Sequence, residues 1–385
     1  MQSRTTTALL KMKDAAGNPL ANTDVVVEQT RHSFVFGNIG FDFVEPAVRD
    51  TGLAKLWLDL YNTATLPFYW REFEPVRGAA RTRPLRDTAQ WFRDHGVAVK
   101  GHPLVWHTLA PQWLSGDVER QLRQRIRRDV TDFADLIDTW DAINEVVIMP
   151  VFEAEPNAIT SLAQTIGRVP MIQLAFDEAR AANPSATLLL NDFDLSSRYE
   201  DLIAETLAAG VQIDALGLQT HMHQGYWGED RMLAMVDRFA RFGLPLHLTE
   251  STLLSGELMP PEIVDLNDYV VTNWPSTDEG EARQADELVR HYRSLTSHPA
   301  VEAITYWGIT DAGAWLGAPV GLVRADGTPK PSYDALHRLI KGEWWLSPTT
   351  MRTDAEGSIE ITGMPGDYRA TARGVSTAFS ITLAR

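Results

Sequence analysis

The sequence predicts an α/β protein: a (β/α)8 TIM barrel with a small β-sandwich formed by the N- and C-terminal segments. Three observations carry the prediction. Between about residue 34 and residue 340, short β-rich apolar runs alternate with amphipathic helical stretches, the signature of a parallel sheet wrapped by helices. The two ends hold only short strands joined by Gly and Asp turns, without a helical period. A chain of 385 residues, 44% hydrophobic and 22% charged, leaves room for a large core with an appendage.

In chain order, residues 1–33 carry Leu9-Leu10-Lys11-Met12-Lys13, a turn at Asp14–Pro19, and the run Val25-Val26-Val27-Glu28-Gln29. The barrel, residues 34–342, supplies the candidate strands Phe34–Ile39, Thr63–Tyr69, Val97–Trp106, Thr139–Glu145, Thr187–Phe193, Ala215–His221, Leu246–Glu250 and Ala303–Ile309. Helical patterns fall at Leu85–His95, Ile172–Ala182, Tyr199–Ala209, Met232–Phe242 and Glu281–Leu295. In the Arg-rich stretch Arg120–Arg128, the flanking Val118, Leu122, Ile126 and Val130 recur every four residues, which predicts a helix whose arginines face solvent. Residues 343–385 hold Thr353-Asp354, Gly357, Ile359 and Ile361, a turn at Gly363–Gly366 before Tyr368, and a last run Phe379–Leu383. Neither end can build a core alone. The patterns D-x-x-G-x-P-L, V-x-V, T-D-x-x-G-x-x-x-I and G-x-Y resemble the two halves of a transthyretin-like β-domain. The expectation is one split sandwich with the barrel inserted; the alternative is two unrelated β-extensions, each packed on the barrel.

Composition excludes several classes. No cysteine is present, so there is no disulfide framework, thiolate nucleophile or Cys-ligated zinc. A net charge of −16 argues against a nucleic-acid binder, which needs clustered Lys and Arg. No apolar run reaches the ~18 residues of a membrane span. The first residues lack a charged-then-apolar signal pattern, which leaves a cytoplasmic protein or a secreted one with its leader trimmed. His221 and His223 have the i, i+2 spacing of a metal pair, and His102 and His107 are further imidazoles. Without H-E-x-x-H or an acid at ligand spacing, neither metal nor cofactor is expected. No G-x-S-x-G, phosphate loop or G-x-G-x-x-G is found either.

In a barrel of this kind function sits at the C-terminal ends of the strands. Those ends read His102, Trp106 and His107; Asn144 and Glu145; Asn191 and Asp192; Gln219 and His221; Glu250; Trp307 and Trp315. Two carboxylates flanking a bond are what glycoside cleavage requires, and indoles offer flat apolar faces for sugar rings. Against this, a strand-end Glu is commonly just solvated or paired, and strand-end Trp commonly packs the rim. A non-catalytic carbohydrate-binding barrel is the alternative from another class.

The motifs then become specific. Gly101-His102-Pro-Leu-Val-Trp106-His107, Trp140-Asp141-Ala-Ile-Asn144-Glu145, Asn191-Asp192-Phe193, Leu218-Gln219-Thr-His221, Leu248-Thr249-Glu250 and Tyr306-Trp307-Gly308-Ile-Thr310-Asp311 occur in that order. The ordered set closely resembles the barrel motifs of glycoside hydrolase family 10, best known for endo-β-1,4-xylanases, over roughly residues 33–342. The resemblance implies a retaining double displacement on a carbohydrate or glycoside substrate. Glu145 would be the general acid/base and Glu250 the nucleophile. Asn144 would bond the sugar 2-hydroxyl and His221 would partner Glu250. His102, Trp106, Trp307 and Trp315 would shape the subsite of the attacked sugar, and Gln219 and Tyr69 are further substrate-binding candidates.

Departures from the family cluster beside the second strand. Where the family carries E-N-x-x-K-W, this chain has Thr65-Leu66-Pro67-Phe68-Tyr69-Trp70. Leu109 replaces an amide, Thr252 an Asp that follows the nucleophile, and Asp194 an Asn. A Thr-Leu-Tyr lining is expected to grip a xylose chain poorly, because sites built on hydrogen bonds discriminate strongly. The resemblance therefore leaves open a second substrate class, a glycoside with an apolar aglycone, as in the family's tomatinase-like branch.

Overall fold

The computed structural model describes residues 4–383; residues 1–3 and 384–385, which the two predicted end pieces include, lie outside it. The chain opens with strands β1 (Thr6–Lys11) and β2 (Asp24–His32). Between them the predicted turn forms: an oxygen of Asp14 accepts from the N–H groups of Ala16 and Asn18, an Asp side chain standing in for a backbone turn.

The next eight strands are β3 (Val35–Ile39), β4 (Thr63–Pro67), β5 (Ala98–His102), β6 (Thr139–Asn144), β7 (Thr187–Asp192), β8 (Ala215–Met222), β9 (Leu246–Leu253) and β10 (Val301–Tyr306). They close into a parallel barrel in chain order, β10 pairing β3. The helices between them are α1 (Gly52–Leu60), α2 (Trp70–Phe73), α3 (Thr82–Asp94), α4 (Val118–Asp132), α5 (Ala158–Ile166), α6 (Arg168–Ala182), α7 (Ser197–Ala208), α8 (Glu229–Ala240), α9 (Asp278–Ser297) and α10 (Pro331–His337). Every predicted barrel strand is present. Their far ends differ: β5 stops at His102 because Pro103 has no N–H to continue the ladder, which puts Trp106 and His107 on the following loop. Tyr69 likewise lies past the end of β4, just before α2.

One expectation is corrected. Arg120 and Arg127 of α4 do face solvent, but Arg125 is 3% exposed. It pairs with Asp129 at 3.2 Å and lies over the Trp70 ring. Its guanidinium also donates to the carbonyls of Leu104, Pro103 and Phe68. Those carbonyls belong to segments that have just left the sheet and need donors, and a planar five-donor fork suits them where a four-residue apolar repeat gives no hint of it.

After α10 come β11 (Thr349–Arg352), β12 (Ser358–Gly363), β13 (Gly366–Ala372) and β14 (Val375–Ile381). β12 pairs antiparallel with β1, and the second sheet runs β11-β2-β13-β14. One apolar cluster draws Met12, Val25 and Val27 from the first end and Ile359, Ile361, Tyr368 and Ile381 from the last. Each such side chain contributes roughly 1.5–3 kcal/mol on burial, and neither end holds enough of them alone. No described helix is long and apolar enough to cross a membrane.

Candidate active site

The two glutamates, Glu145 just past β6 and Glu250 within β9, which runs three residues beyond the expected end, are aimed by irregular backbone. Glu145 follows β6 in a left-handed conformation, φ +56°, which costs a non-glycine residue on the order of 1 kcal/mol or more. Its N–H is held by the Asn191 carbonyl at 2.8 Å. The β6–β7 register slips between Asp141 and Ile143, and the β8–β9 register slips between Leu218 and Gln219, just before Gln219 meets Glu250. Bulges of this kind re-aim side chains beside active sites.

Hydrogen bonds join both carboxylates into one network. Glu145 Oε1 accepts from Asn144 Nδ2 at 3.1 Å and Gln219 Nε2 at 3.2 Å, and its Oε2 from Trp106 Nε1 at 2.8 Å. Glu250 Oε1 accepts from Asn191 Nδ2 at 3.0 Å, while Oε2 lies 3.1 Å from His221 Nε2. Asn144 Oδ1 ties the halves together, accepting from Asn191 at 2.7 Å and Gln219 at 3.1 Å. Asn191 fits only because residue 217 is glycine: a Cβ there would stand 2.3 Å from Asn191 Oδ1.

A supporting set lies behind this network. His102 Nδ1 is 2.7 Å from Asp141 Oδ2, with its Nε2 facing Glu250 Oε1 at 4.0 Å. Lys100 pairs with the other Asp141 oxygen at 2.8 Å. Burial works against the Asp141 charge, yet Lys100 and His102 outweigh it and hold the carboxyl below its ordinary range. Being ionised, it can only accept, so His102 Nδ1 carries a proton. Thr252 Oγ1 stands 3.3 Å from His221 Nδ1 and 3.4 Å from His223 Nδ1; a neutral hydroxyl thus fills the place where an anion was expected from the family pattern.

Electrostatics favour a protonated Glu145. Burial first, then the neighbouring Glu250 charge, push it up to about 8, against the donated bonds of Trp106 and Gln219. Burial likewise takes Asp192 up to about 7, opposed by the N–H groups of Asp194 and Val147. Glu250, only 5% exposed, accepts its bonds from an amide and an imidazole.

The opposite side of the mouth is aromatic. Tyr69 packs on Trp106 with centroids 5.5 Å apart, and Phe41 touches both Tyr69 and Trp307, at 5.8 and 5.6 Å. Trp307 also lies edge-on to His102 at 5.1 Å, and the half-exposed Trp315 packs on His221 at 4.9 Å. Thus every sequence-predicted site residue gathers at one mouth. Of the expected Thr-Leu-Tyr lining, Tyr69 joins the rings at the mouth, whereas Leu66 packs beside Phe92 of α3 and the Thr65 hydroxyl is buried without a hydrogen-bond partner. The β3–β4 ladder ends where Gly40 N–H bonds the Thr65 carbonyl at 2.8 Å.

Asn191 was read at a strand end without a role. Two further contributors, Asp141 and Phe41, were not singled out; Asp141 lies inside a motif and was legible there. Phe41 had no signal beyond following a strand. Among the described residues, no group of three or more His, Asp or Glu side chains could hold a metal ion. Chemically, the mouth offers an acid held near neutral pH opposite a hydrogen-bonded carboxylate, walled by rings on one flank and amides on the other. That arrangement suits protonation of a leaving oxygen coupled to attack on the carbon it leaves.

A family model described as "Glycosyl hydrolase family 10" matches residues 63–339. Over 376 residues the chain is 24% identical to the anti-sigma-I factor RsgI6 of Acetivibrio thermocellus, covering 94% of this chain but 44% of that protein. It is 26% identical to endo-1,4-beta-xylanase B of Thermotoga neapolitana over 290 residues, covering 71% of this chain and 78% of the xylanase. The chain thus spans less than half of the first of these relatives. Xylanase 10B of Thermotoga petrophila, solved in complex with xylobiose, superposes with a TM-score of 0.67 at 22% identity, over 81% of this chain and 95% of that one; at that identity the likeness is one of fold.

Proposed function

From a chain that belongs to glycosyl hydrolase family 10, we propose a retaining β-glycoside hydrolase with xylanase-like chemistry, working on a β-linked saccharide. One observation carries the reading: Glu145, raised to about 8, faces Glu250 through a shared amide network. Glu250 attacks the anomeric carbon while Glu145 gives its proton to the departing oxygen. The C–O bond to the leaving group breaks as the glycosyl ester to Glu250 forms. Glu145, now a carboxylate, then takes a proton from water, whose oxygen attacks the same carbon and frees Glu250. Asn144 Nδ2 has a second N–H for the sugar 2-hydroxyl, a bond that strengthens as the ring approaches an oxocarbenium ion. His102, Trp106, Gln219, His221, Trp307, Trp315 and Tyr69 enclose the attacked sugar.

The name of the Thermotoga neapolitana relative favours β-1,4-xylan-type substrates. The absence of polar groups beside β4 leaves open the second class, a glycoside with an apolar aglycone; kcat/KM across xylan, aryl β-glycosides and saponin-type glycosides separates them. A further reading, in which the barrel binds glycan as part of a regulator, is favoured by the match to an anti-sigma factor over nearly the whole chain. It predicts glycan binding without turnover. The deciding experiment is Glu250→Ala on an aryl β-glycoside: activity falls by on the order of 10⁴-fold or more, and azide restores part of it with an α-glycosyl azide as product. Wild-type turnover in that variant removes Glu250 from the nucleophile's role.

We propose too that residues 1–33 and 343–385 act as one unit around the inserted barrel, 34–342. β1 and β2 find their described partners among β11, β12 and β13. Deleting residues 349–385 is expected to open Thr6–His32 to proteolysis; unchanged protection of that segment would count against a shared unit.

A further inference from the structure

The aromatic flank of the mouth is continuous. Trp106 touches Tyr69, Tyr69 touches Phe41 and Phe41 touches Trp307. The arc runs from the loop after β5, past β4 and β3, to the end of β10, the strand beside that of Glu250. Phe41 begins a single 3-10 turn, Phe41–Val44, that follows Gly40 directly. Gly40 N–H continues the β3–β4 ladder to the Thr65 carbonyl; the Thr65 hydroxyl is buried, and Leu66 packs beside Phe92 next to Gly40.

We infer that Phe41, with Tyr69, is an end wall that admits a single sugar on the nucleophile's side, so that the bond cut is the first from the non-reducing end of a β-linked chain. The inference rests on the glycosidase reading and narrows it. The attacked sugar lies over Glu250, and the leaving group lies beside the acid that protonates it, toward Glu145 on the β6 side. A second sugar on the non-reducing side must therefore extend away from β6. The flank formed by β7 and β8 is closed by Asn191, Gln219 and His221, whose hydrogen bonds are committed to the two glutamates. That leaves the β10-β3-β4 flank, where Phe41 and Tyr69 stand. There a second sugar would bury hydroxyls against ring edges, with the Thr65 hydroxyl and the β4 backbone already covered, and unpaired buried hydroxyls are costly.

The test uses the whole protein with two matched pairs of probes: p-nitrophenyl β-xyloside with the β-xylobioside, and the β-glucoside with the β-cellobioside. In the preferred pair, the monoside is expected to release nitrophenol with a kcat/KM at least about tenfold above the bioside. The bioside should first yield free monosaccharide and the nitrophenyl monoside. Phe41→Ala is expected to raise direct nitrophenol release from the bioside by about tenfold relative to the monoside, with Phe41→Leu between. A wild-type protein that releases nitrophenol faster from the bioside overturns the end wall, as does an unchanged ratio in a folded Phe41→Ala. Absence of turnover with all four probes overturns the glycosidase reading, and this inference with it.

Discussion

The two flanks of the barrel mouth are made of opposite material. From β6 to β9, amides and an imidazole bond the two glutamates and one another at 2.7 to 3.1 Å. From β10 through β3 and β4 to β5, rings meet rings at centroid distances of 5.5 to 5.8 Å. Hydrogen bonds are directional, so in the proposed mechanism the first flank governs protonation and attack. Ring contacts are broad and tolerant, so the second governs which saccharide can be accommodated. Trp106 joins the two, packing on Tyr69 while its Nε1 donates to Glu145 Oε2, and substitutions at the remaining rings and at the amides should produce different kinetic signatures.

The sharpest challenge to that division is Glu145→Gln. General acid–base catalysis contributes about 10²–10⁴-fold, so kcat on an unactivated β-linked disaccharide should fall within that range. The wild-type kcat/KM should decline as pH rises through about 8, where Glu145 loses its proton, and the variant should lack this limb. Stability gives an independent reading. The folded protein holds the proton between the ordinary value of 4.5 and about 8, whereas the unfolded chain releases it. Wild-type stability from this group is therefore present below pH 4.5 and lost toward pH 8. The Tm of Glu145→Gln should gain on wild type as pH rises across that window; a constant difference would contradict the raised value.

Next in size is Asn191→Ala, which removes the amide joining Glu250 to Asn144 and the acceptor of Thr249 Oγ1. Loss of a donor aimed at the reacting centre costs about 10²–10³ in kcat, and the partners left unpaired cost ~1–3 kcal/mol of stability. Steady-state kinetics beside thermal unfolding tests both; a change confined to KM would mean that the amide flank is not tied to chemistry.

The smallest effect is expected from Tyr69→Phe, which keeps the ring contacts to Phe41 and Trp106. A change below about tenfold in kcat/KM fits a flank that acts through shape. A loss matching Asn191→Ala would place the phenol in the chemistry and break the comparison.

Much of this was legible before folding. Alternating strand and helix patterns locate the eight barrel strands, because one residue period repeats in each. Glu145 and Glu250 stand out because ordered motifs bring both to strand ends. Arg125 was misread: an apolar repeat every four residues reports the face of a helix, not the donors that neighbouring loops demand of it. Leu66 packs beside Phe92 on the helix side of β4 and so does not line the mouth, because the sequence of a strand buried on both faces does not show which face meets the barrel interior.

By itself the sequence determined the barrel, the two glutamates proposed as acid and nucleophile, and the absence of polar groups beside β4, since periodicity and residue type are local properties. Only the tertiary structure decided the left-handed backbone that aims Glu145, the burial and nearby charge that keep it protonated, and the union of Phe41 with Tyr69 and Trp307. Each depends on segments far apart in the chain meeting at one mouth, where distance and exclusion of water, not residue identity, set the energies.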